Sequence, residues 1–370
     1  MAILFMAIIV LLLVALQNHL YNRFWDMGLD LDLKFSAPEA FEGETIYLME
    51  KVVNRKLLPL PWLTARFRVS KELLFFDGEN ISTSDSHYRS DVFSIMHYQS
   101  ITRRLKFTCG KRGYYRLRGA EALCQNILFT KRFGKEFDCD AALTVFPAIL
   151  EWDEEKDINY RRIESAVLSH SLINPDVFEF KGIREYQPGD SVRFVNFKAS
   201  AISQQLMVNL HANTSSKRVK MYLNLEPYSS FPDNELYEAA IRISATLASR
   251  LIDDDVSVGF KTNGKDISTT QAMELDSGNS SAHLYKIFEA LARIGLIHEC
   301  SAFSEYLDEL ADDGSVHIII SPNYDKGIMQ AFDELIGRGV SAQMIIPHFN
   351  AGLAEALPEE DNILPWEVSK

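Results

Sequence analysis

The sequence predicts a multidomain chain: an N-terminal transmembrane helix, an antiparallel, immunoglobulin-like β-sandwich, and then an α/β domain of Rossmann type. Three observations carry this reading. Met1 to Leu16 is unbroken apolar sequence; residues 27–148 show short alternating runs with no long amphipathic helix; after residue 215 apolar strand runs alternate with helical spacing. The 370 residues are enough for two or three domains, each with its own core. With 38 Lys and Arg against 51 Asp and Glu the formal charge is −13, which argues against a nucleic-acid partner. The four cysteines, Cys109, Cys124, Cys139 and Cys300, show neither CxxC nor Cys/His spacing, so no disulfide scaffold or structural zinc is indicated.

The boundaries follow in order. Residues 1–21 form the anchor. A helix over Met1–Leu16 rises ~24 Å, a little short of the hydrocarbon core, and Leu20 and Tyr21 extend it. Tyr21, Phe24 and Trp25 fall where an interfacial aromatic belt would lie. A cleaved signal peptide is the rival, but no Lys or Arg precedes Arg23 and Val14-Ala15-Leu16 is a poor cleavage site. Arg23 tilts the remainder toward the cytoplasm, giving a single-pass protein of the cell membrane, with the lipid bilayer as its first partner.

Residues 27–148 form the sandwich. Leu29 to Phe35 alternates strictly, Ile46 to Val53 is a second strand, and Ala65, Phe67 and Val69 oppose Arg66 and Arg68. Ile101–Phe107 and Tyr114–Leu117 continue the pattern. Residues 101–135 hold ten Lys and Arg and one acid, a net +9 that reads either as a solvated sheet face or as a face laid on anionic lipid. Residues 149–215 read as a linker carrying a distinctive segment. Residues 217–356 form the α/β domain: a strand at Lys217–Leu225, a helix marked by Leu236, Ala240, Ile243, Leu247 and Leu251 behind Asp233, a strand at Val256–Phe260, a helix at Ala282–Ile294, a strand at Val316–Ile320, a helix at Asp325–Ile336 and a strand at Val340–Ile346. Residues 357–370 read as a loose acidic tail.

The distinctive segment runs Gly182-Ile183-Arg184-Glu185-Tyr186-Gln187-Pro188-Gly189-Asp190-Ser191-Val192-Arg193 and on to Ala201. Pro188-Gly189 suits a type II turn, Arg184, Glu185, Asp190 and Arg193 can pair around it, and Val192–Phe197 is apolar and β-prone. The segment is either a charge-locked corner between domains or a presented docking loop. No base and nucleophile accompany it, so the chain reads as non-enzymatic.

This stretch resembles the signature of the bacterial domain-of-unknown-function 58 family. Arg184, Glu185, Tyr186, Pro188, Gly189, Asp190, Arg193, Ser200 and Ala201 match, while Phe197 stands for the usual Trp and Ile202 for the usual Arg. Arg112-Gly113-Tyr114-Tyr115 and Val145-Phe146-Pro147 look like further family stretches; the usual Asp-Pro-Phe-Gly is missing. The resemblance implies a membrane anchor, a sandwich and a von Willebrand A-like α/β domain. It also implies action with a MoxR-type AAA+ ATPase in assembling or maturing other proteins; an extracytoplasmic envelope or adhesion protein is the alternative.

A working von Willebrand A metal site carries Asp-x-Ser-x-Ser, whose oxygens hold a divalent cation. Here Asn224, Glu226 and Tyr228 stand at those three positions, and Ser321-Pro322 follows the strand where a further Asp is usual. The expectation is a degenerate loop with no metal and no cofactor, a weak residual Mg²⁺ site being the alternative.

Overall fold

The computed structural model describes residues 2–76, 81–83, 87–173, 180–187, 192–211, 217–229, 233–267, 269–296, 300, 302–349 and 361–368. The chain forms two compact units, Met1–Ala148 and Ile149–Lys370.

The first unit opens with helix α1 (Ala2–Phe24). By length and composition its Ile3–Phe24 stretch is apolar enough to cross a membrane, with a mean hydropathy of 2.4. Ten strands follow: β1 (Leu29–Phe35), β2 (Glu39–Phe41), β3 (Thr45–Asn54), β4 (Leu60–Val69), β5 (Leu73–Phe75), β6 (Ile81–Thr83), β7 (His87–Ile95), β8 (Ser100–Cys109), β9 (Gly113–Gln125) and β10 (Arg132–Phe146). They make a four-stranded sheet, β1-β3-β8-β5, and a six-stranded sheet, β2-β10-β9-β4-β7-β6. Pairing is antiparallel except between β2 and β10. Strict alternation sends Leu29, Leu31 and Leu33 of β1 and Leu63, Ala65, Phe67 and Val69 of β4 into one core.

Two expectations change here. Tyr21 and Trp25 are not an aromatic belt: both are buried in the sandwich core, stack on Phe133, and the Tyr21 hydroxyl donates to Pro59 O at 2.7 Å. The end of α1 is therefore part of the domain, with Tyr21 and the following Trp25 packed against Phe133 of β10. Nor do the ten basic residues of 101–135 share one face. Arg103 turns inward to Asp91 and Arg112 is buried.

The second unit begins where a linker was expected, with a 20-residue helix, α2 (Glu154–Ile173). Asp153 Oδ1 accepts from Lys156 N at 2.9 Å at its start, and Tyr160, Ile163 and Val167 form its buried stripe. A hairpin, β11 (Phe180–Glu185) and β12 (Met207–His211), encloses a 3₁₀ turn at Val192–Phe194 and helix α3 (Phe197–Ser203). Val192–Phe197, expected to be extended, is thus a turn and a helix start; only Val195 makes a β-bridge, to Val208.

The remainder is β13 (Arg218–Leu223), α4 (Asn234–Asp253), β14 (Ser257–Asp266), β15 (Ala272–Gly278), α5 (Ser281–Arg293), β16 (Ile294–Gly295), α6 (Phe303–Asp308), β17 (Val316–Ile320), α7 (Lys326–Gly337), β18 (Ala342–His348) and β19 (Ile363–Glu367). The sheet runs β15-β14-β13-β17-β18-β19, with β16 beside β14. Along β14-β13-β17-β18-β19 the pairs are parallel, while β15 and β16 pair antiparallel with β14. Tyr222, Ile319, Met344 and Ile346 pack with α6 and α7 in one cluster; α4 also contacts β13, β14, β17 and β18. The expected loose tail is corrected in part. Residues 357–360 lie outside the described residues, but Ile363–Glu367 is an edge strand with Trp366 fully buried. Its apolar run outweighs Pro365, which an edge strand tolerates.

Candidate functional site

Two places in the second unit draw the candidate residues together. The first is the carboxyl end of the parallel sheet. Strand β14 lies on one side of β13 and β17 on the other, so the strand order reverses at β13, the position where open α/β sheets bind ligands. Asn224 follows β13 and is fully buried. Its Nδ2 donates to Ser321 Oγ at 2.9 Å. Its Oδ1 accepts from Glu226 N at 2.8 Å and from Asn263 Nδ2 at 3.0 Å, which uses both lone pairs. Asn263 Oδ1 in turn accepts from Leu225 N at 2.8 Å. The Ser321 hydroxyl donates to Asn323 O. Glu226 is half-buried, and its Oε2 accepts from Phe303 N at 2.8 Å, tying the loop to the start of α6. Tyr228 is exposed, stacks on Tyr237 and accepts from Asp233 N at 3.3 Å.

These residues do not fit a metal centre. The Asn224 amide oxygen already accepts two hydrogen bonds, and one Glu226 oxygen is committed to a backbone amide. Among the described residues no three His, Cys, Asp or Glu side chains are grouped to hold a metal ion. The expected outcome of calorimetry is no Mg²⁺ binding tighter than about millimolar; a micromolar event lost in Asn224→Ala would contradict it. Beside this loop lies a cavity of about 410 Å³ lined by Tyr228, Asp233, Pro322, Tyr324, Asp325 and His348, among others.

The second place is the hairpin with α3. Arg184, Glu185 and Tyr186 are on or just beyond β11: Arg184 Nη1 donates to Glu185 O at 2.9 Å, and Tyr186 N donates to Leu206 O at 2.8 Å. Pro188, Gly189 and Asp190 lie outside the described residues, as does the side chain of Arg193, so the expected charge pairs around the turn have no geometry here. Asn196, and Ser200 of the signature, hold the module. Asn196 caps α3 through Ala199 N at 2.9 Å and reaches Asn209 Oδ1 at 2.7 Å. Ser200 Oγ donates to Asn196 O at 2.7 Å and accepts from Met207 N at 2.8 Å. The Asn-x-x-x-Ser spacing, one helical turn, was the available signal. Helix α3 buries no residue. Phe197 is 74% and Ile202 78% exposed, and Ile183, Val192 and Leu206 are exposed as well.

The thiols are not poised for chemistry. Burial pushes Cys109 up to about 11 and Cys124 up to about 12, and raises Cys139 and Cys300, so none is a thiolate near neutral pH.

Among solved structures, the chain is similar to a CARDB domain from Pyrococcus furiosus at 13% identity, with 32% of this chain and 93% of that one covered and a TM-score of 0.22. It is similar to a non-cellulosomal cohesin from Archaeoglobus fulgidus at 13% identity, 35% and 97% coverage and a TM-score of 0.21. A PapD-like domain of human CEP192 gives 12% identity, 33% and 87% coverage and a TM-score of 0.21. No curated protein matches the chain. Residues 182–341, from the hairpin through α7, match the family described as Protein of unknown function DUF58, which supports kinship of this chain with that family.

Proposed function

We infer that the chain is a membrane-anchored, non-enzymatic adaptor that docks a partner through the hairpin and α3. One observation carries this reading: a helix of seven residues held by Asn196 and Ser200 buries none of its side chains and offers Phe197 and Ile202 to solvent. Large apolar side chains held out to solvent on a preorganised element support an interaction surface. The partner class, a MoxR-type AAA+ ATPase that works with the chain in assembling or maturing other proteins, follows from the DUF58 resemblance. The α/β unit is read as a von Willebrand A-like domain with a degenerate metal loop, supported by its mostly parallel sheet and the place of Asn224, Glu226 and Tyr228 after β13. Arg23 in the last turn of α1 favours a cytoplasmic soluble part. Capture from mildly solubilised membranes tests the reading. The wild-type chain should recover a AAA+ ATPase, and Phe197→Asp/Ile202→Asp should lose it with an unchanged melting temperature. Equal recovery by both, or a reporter at Lys370 on the outer side of the membrane, would contradict the proposal.

A further inference from the structure

The turn between β9 and β10 exposes three consecutive apolar side chains, Ile127, Leu128 and Phe129, each about half accessible. Trp62 on neighbouring β4 is 48% exposed and lies 5.2 Å from the Phe129 ring. An exposed apolar turn normally collapses onto its own domain, yet this one is built to stay out. Buried Asn126 holds both ends: its Oδ1 accepts from Thr130 N at 2.8 Å and Lys131 N at 3.2 Å. Phe129 takes a left-handed φ of 56°, a conformation that costs a bulky residue free energy and is retained only where the surroundings enforce it.

The turn is also fastened to α1 at one level. Asn126 Nδ2 donates to Asn18 Oδ1 at 2.7 Å, and the Thr130 hydroxyl donates to the same atom at 3.1 Å. The Gln17 amide, oriented with its oxygen toward the turn, accepts from Ile127 N at 3.1 Å and Leu128 N at 3.3 Å. Gln17 and Asn18 are the residues that end the unbroken apolar run Met1–Leu16. Their amide oxygens thus accept from the turn, which leaves fewer bare polar groups where this end of the helix meets a lipid surface. Lys131 and Arg132, both exposed, follow the apolar tip.

We propose that the Ile127–Leu128–Phe129 turn, with Trp62, inserts into the bilayer interface beside α1 and seats the sandwich on the membrane. The occupant is lipid because the tip lies level with the end of the apolar helix. Trp beside an apolar tip and flanking cations is the composition that interfaces favour, the cations adding attraction to anionic headgroups. The inference rests on α1 spanning the membrane, and the test separates the two.

An environment-sensitive fluorophore is placed on Leu128→Cys in the full chain carrying Cys300→Ser. The protein is reconstituted in vesicles of phosphatidylcholine and phosphatidylglycerol, with and without brominated acyl chains. Val10→Cys on α1 is the anchor control. Lys71→Cys, just beyond the far end of β4 from Trp62, is the solvent control. The expected result is blue-shifted emission at 128 that brominated lipid quenches strongly, quenching at 10, and neither effect at 71. Quenching at 10 with water-like, unquenched emission at 128 overturns the seating while leaving the anchor intact. A blue shift at 128 without bromolipid quenching assigns the turn to a second copy or a protein partner and also overturns it. No quenching at 10 removes the anchor and the proposal together.

Discussion

Replacing Asp91 by alanine is expected to cost the sandwich about 3–5 kcal/mol, the usual penalty for stripping one partner from a buried ion pair. Asp91 lies on β7 with 1% exposure and holds two guanidinium groups at once. Arg89 Nε donates to its Oδ2 at 2.7 Å, and Arg103 Nη1 donates to its Oδ1 at 2.9 Å. Arg89 and Asp91 belong to the six-stranded sheet and Arg103 to the four-stranded one, so this carboxylate fastens the two sheets across the core. Arg103 also donates to Val92 O at 3.1 Å and stacks over Phe93. Without Asp91 the buried Arg89 guanidinium loses both of its side-chain hydrogen bonds and keeps the Phe75 ring and the nearby Glu50 carboxyl as its described neighbours. Chemical denaturation of the detergent-solubilised chain measures the loss. A double variant, Arg89→Met/Asp91→Leu, should recover most of it, because removing both charges also removes their desolvation cost. A loss below ~1 kcal/mol for Asp91→Ala would contradict the cross-sheet role, since only an exposed pair is worth so little.

Stability is expected to fall as pH rises through neutrality, and Glu50→Gln should abolish most of that fall. Glu50 occupies an inward position of β3 between Leu48 and Val52, and neither carboxyl oxygen has a hydrogen-bond partner among the described residues. Burial, and then the nearby Asp91 carboxylate, push its carboxyl from an ordinary 4.5 up to about 8, with Arg103 and Arg89 pulling the other way. The folded chain therefore keeps a proton that the unfolded chain releases. This contribution is complete below about pH 4.5 and is lost progressively as pH climbs through about 8. Glutamine has no proton to lose, so near pH 9 the variant should exceed the wild type by on the order of 5 kcal/mol, the gap closing toward pH 5. Melting curves of both proteins across that range decide the matter. Parallel curves would mean that Glu50 is charged throughout.

Much of this architecture is legible in the chain because its signals are local. The alternation Leu29-Asp30-Leu31-Asp32-Leu33 needs no partner to declare a half-buried strand, and β1 spans Leu29–Phe35. Asp233 before Leu236, Ala240, Ile243 and Leu247 announces α4, which it caps. Where the reading failed, the deciding contact was distant or the pattern thin. Among the described side chains of α2 the buried stripe is Tyr160, Ile163 and Val167, a narrow one set among charged residues that does not outweigh a linker reading. Tyr21 and Trp25 look interfacial until Phe133, far along the chain, provides their packing. Glu50 has the parity of a core residue, yet nothing local says that Asp91 and Arg89 meet it from another sheet. At the candidate site the loop Asn224, Glu226 and Tyr228 could be located by spacing. That Asn263 and Ser321 saturate Asn224 depended on bringing β14 and β17 alongside β13. In the hairpin module Pro188-Gly189 is the louder local signal, while the described contacts that fix the module are those of Asn196 and Ser200.

Phe197 and Ile202 on α3 are proposed as a docking surface for an ATP-driven partner. The direct measurement is an equilibrium binding titration of a purified MoxR-type AAA+ ATPase against the full chain in lipid nanodiscs, with the Phe197→Asp/Ile202→Asp variant run in parallel. Saturable binding by the wild type is expected, with a loss of at least about tenfold in affinity, about 1.4 kcal/mol, for the variant at unchanged melting temperature. Equal affinities for the two chains, or no binding by the wild type, would contradict it.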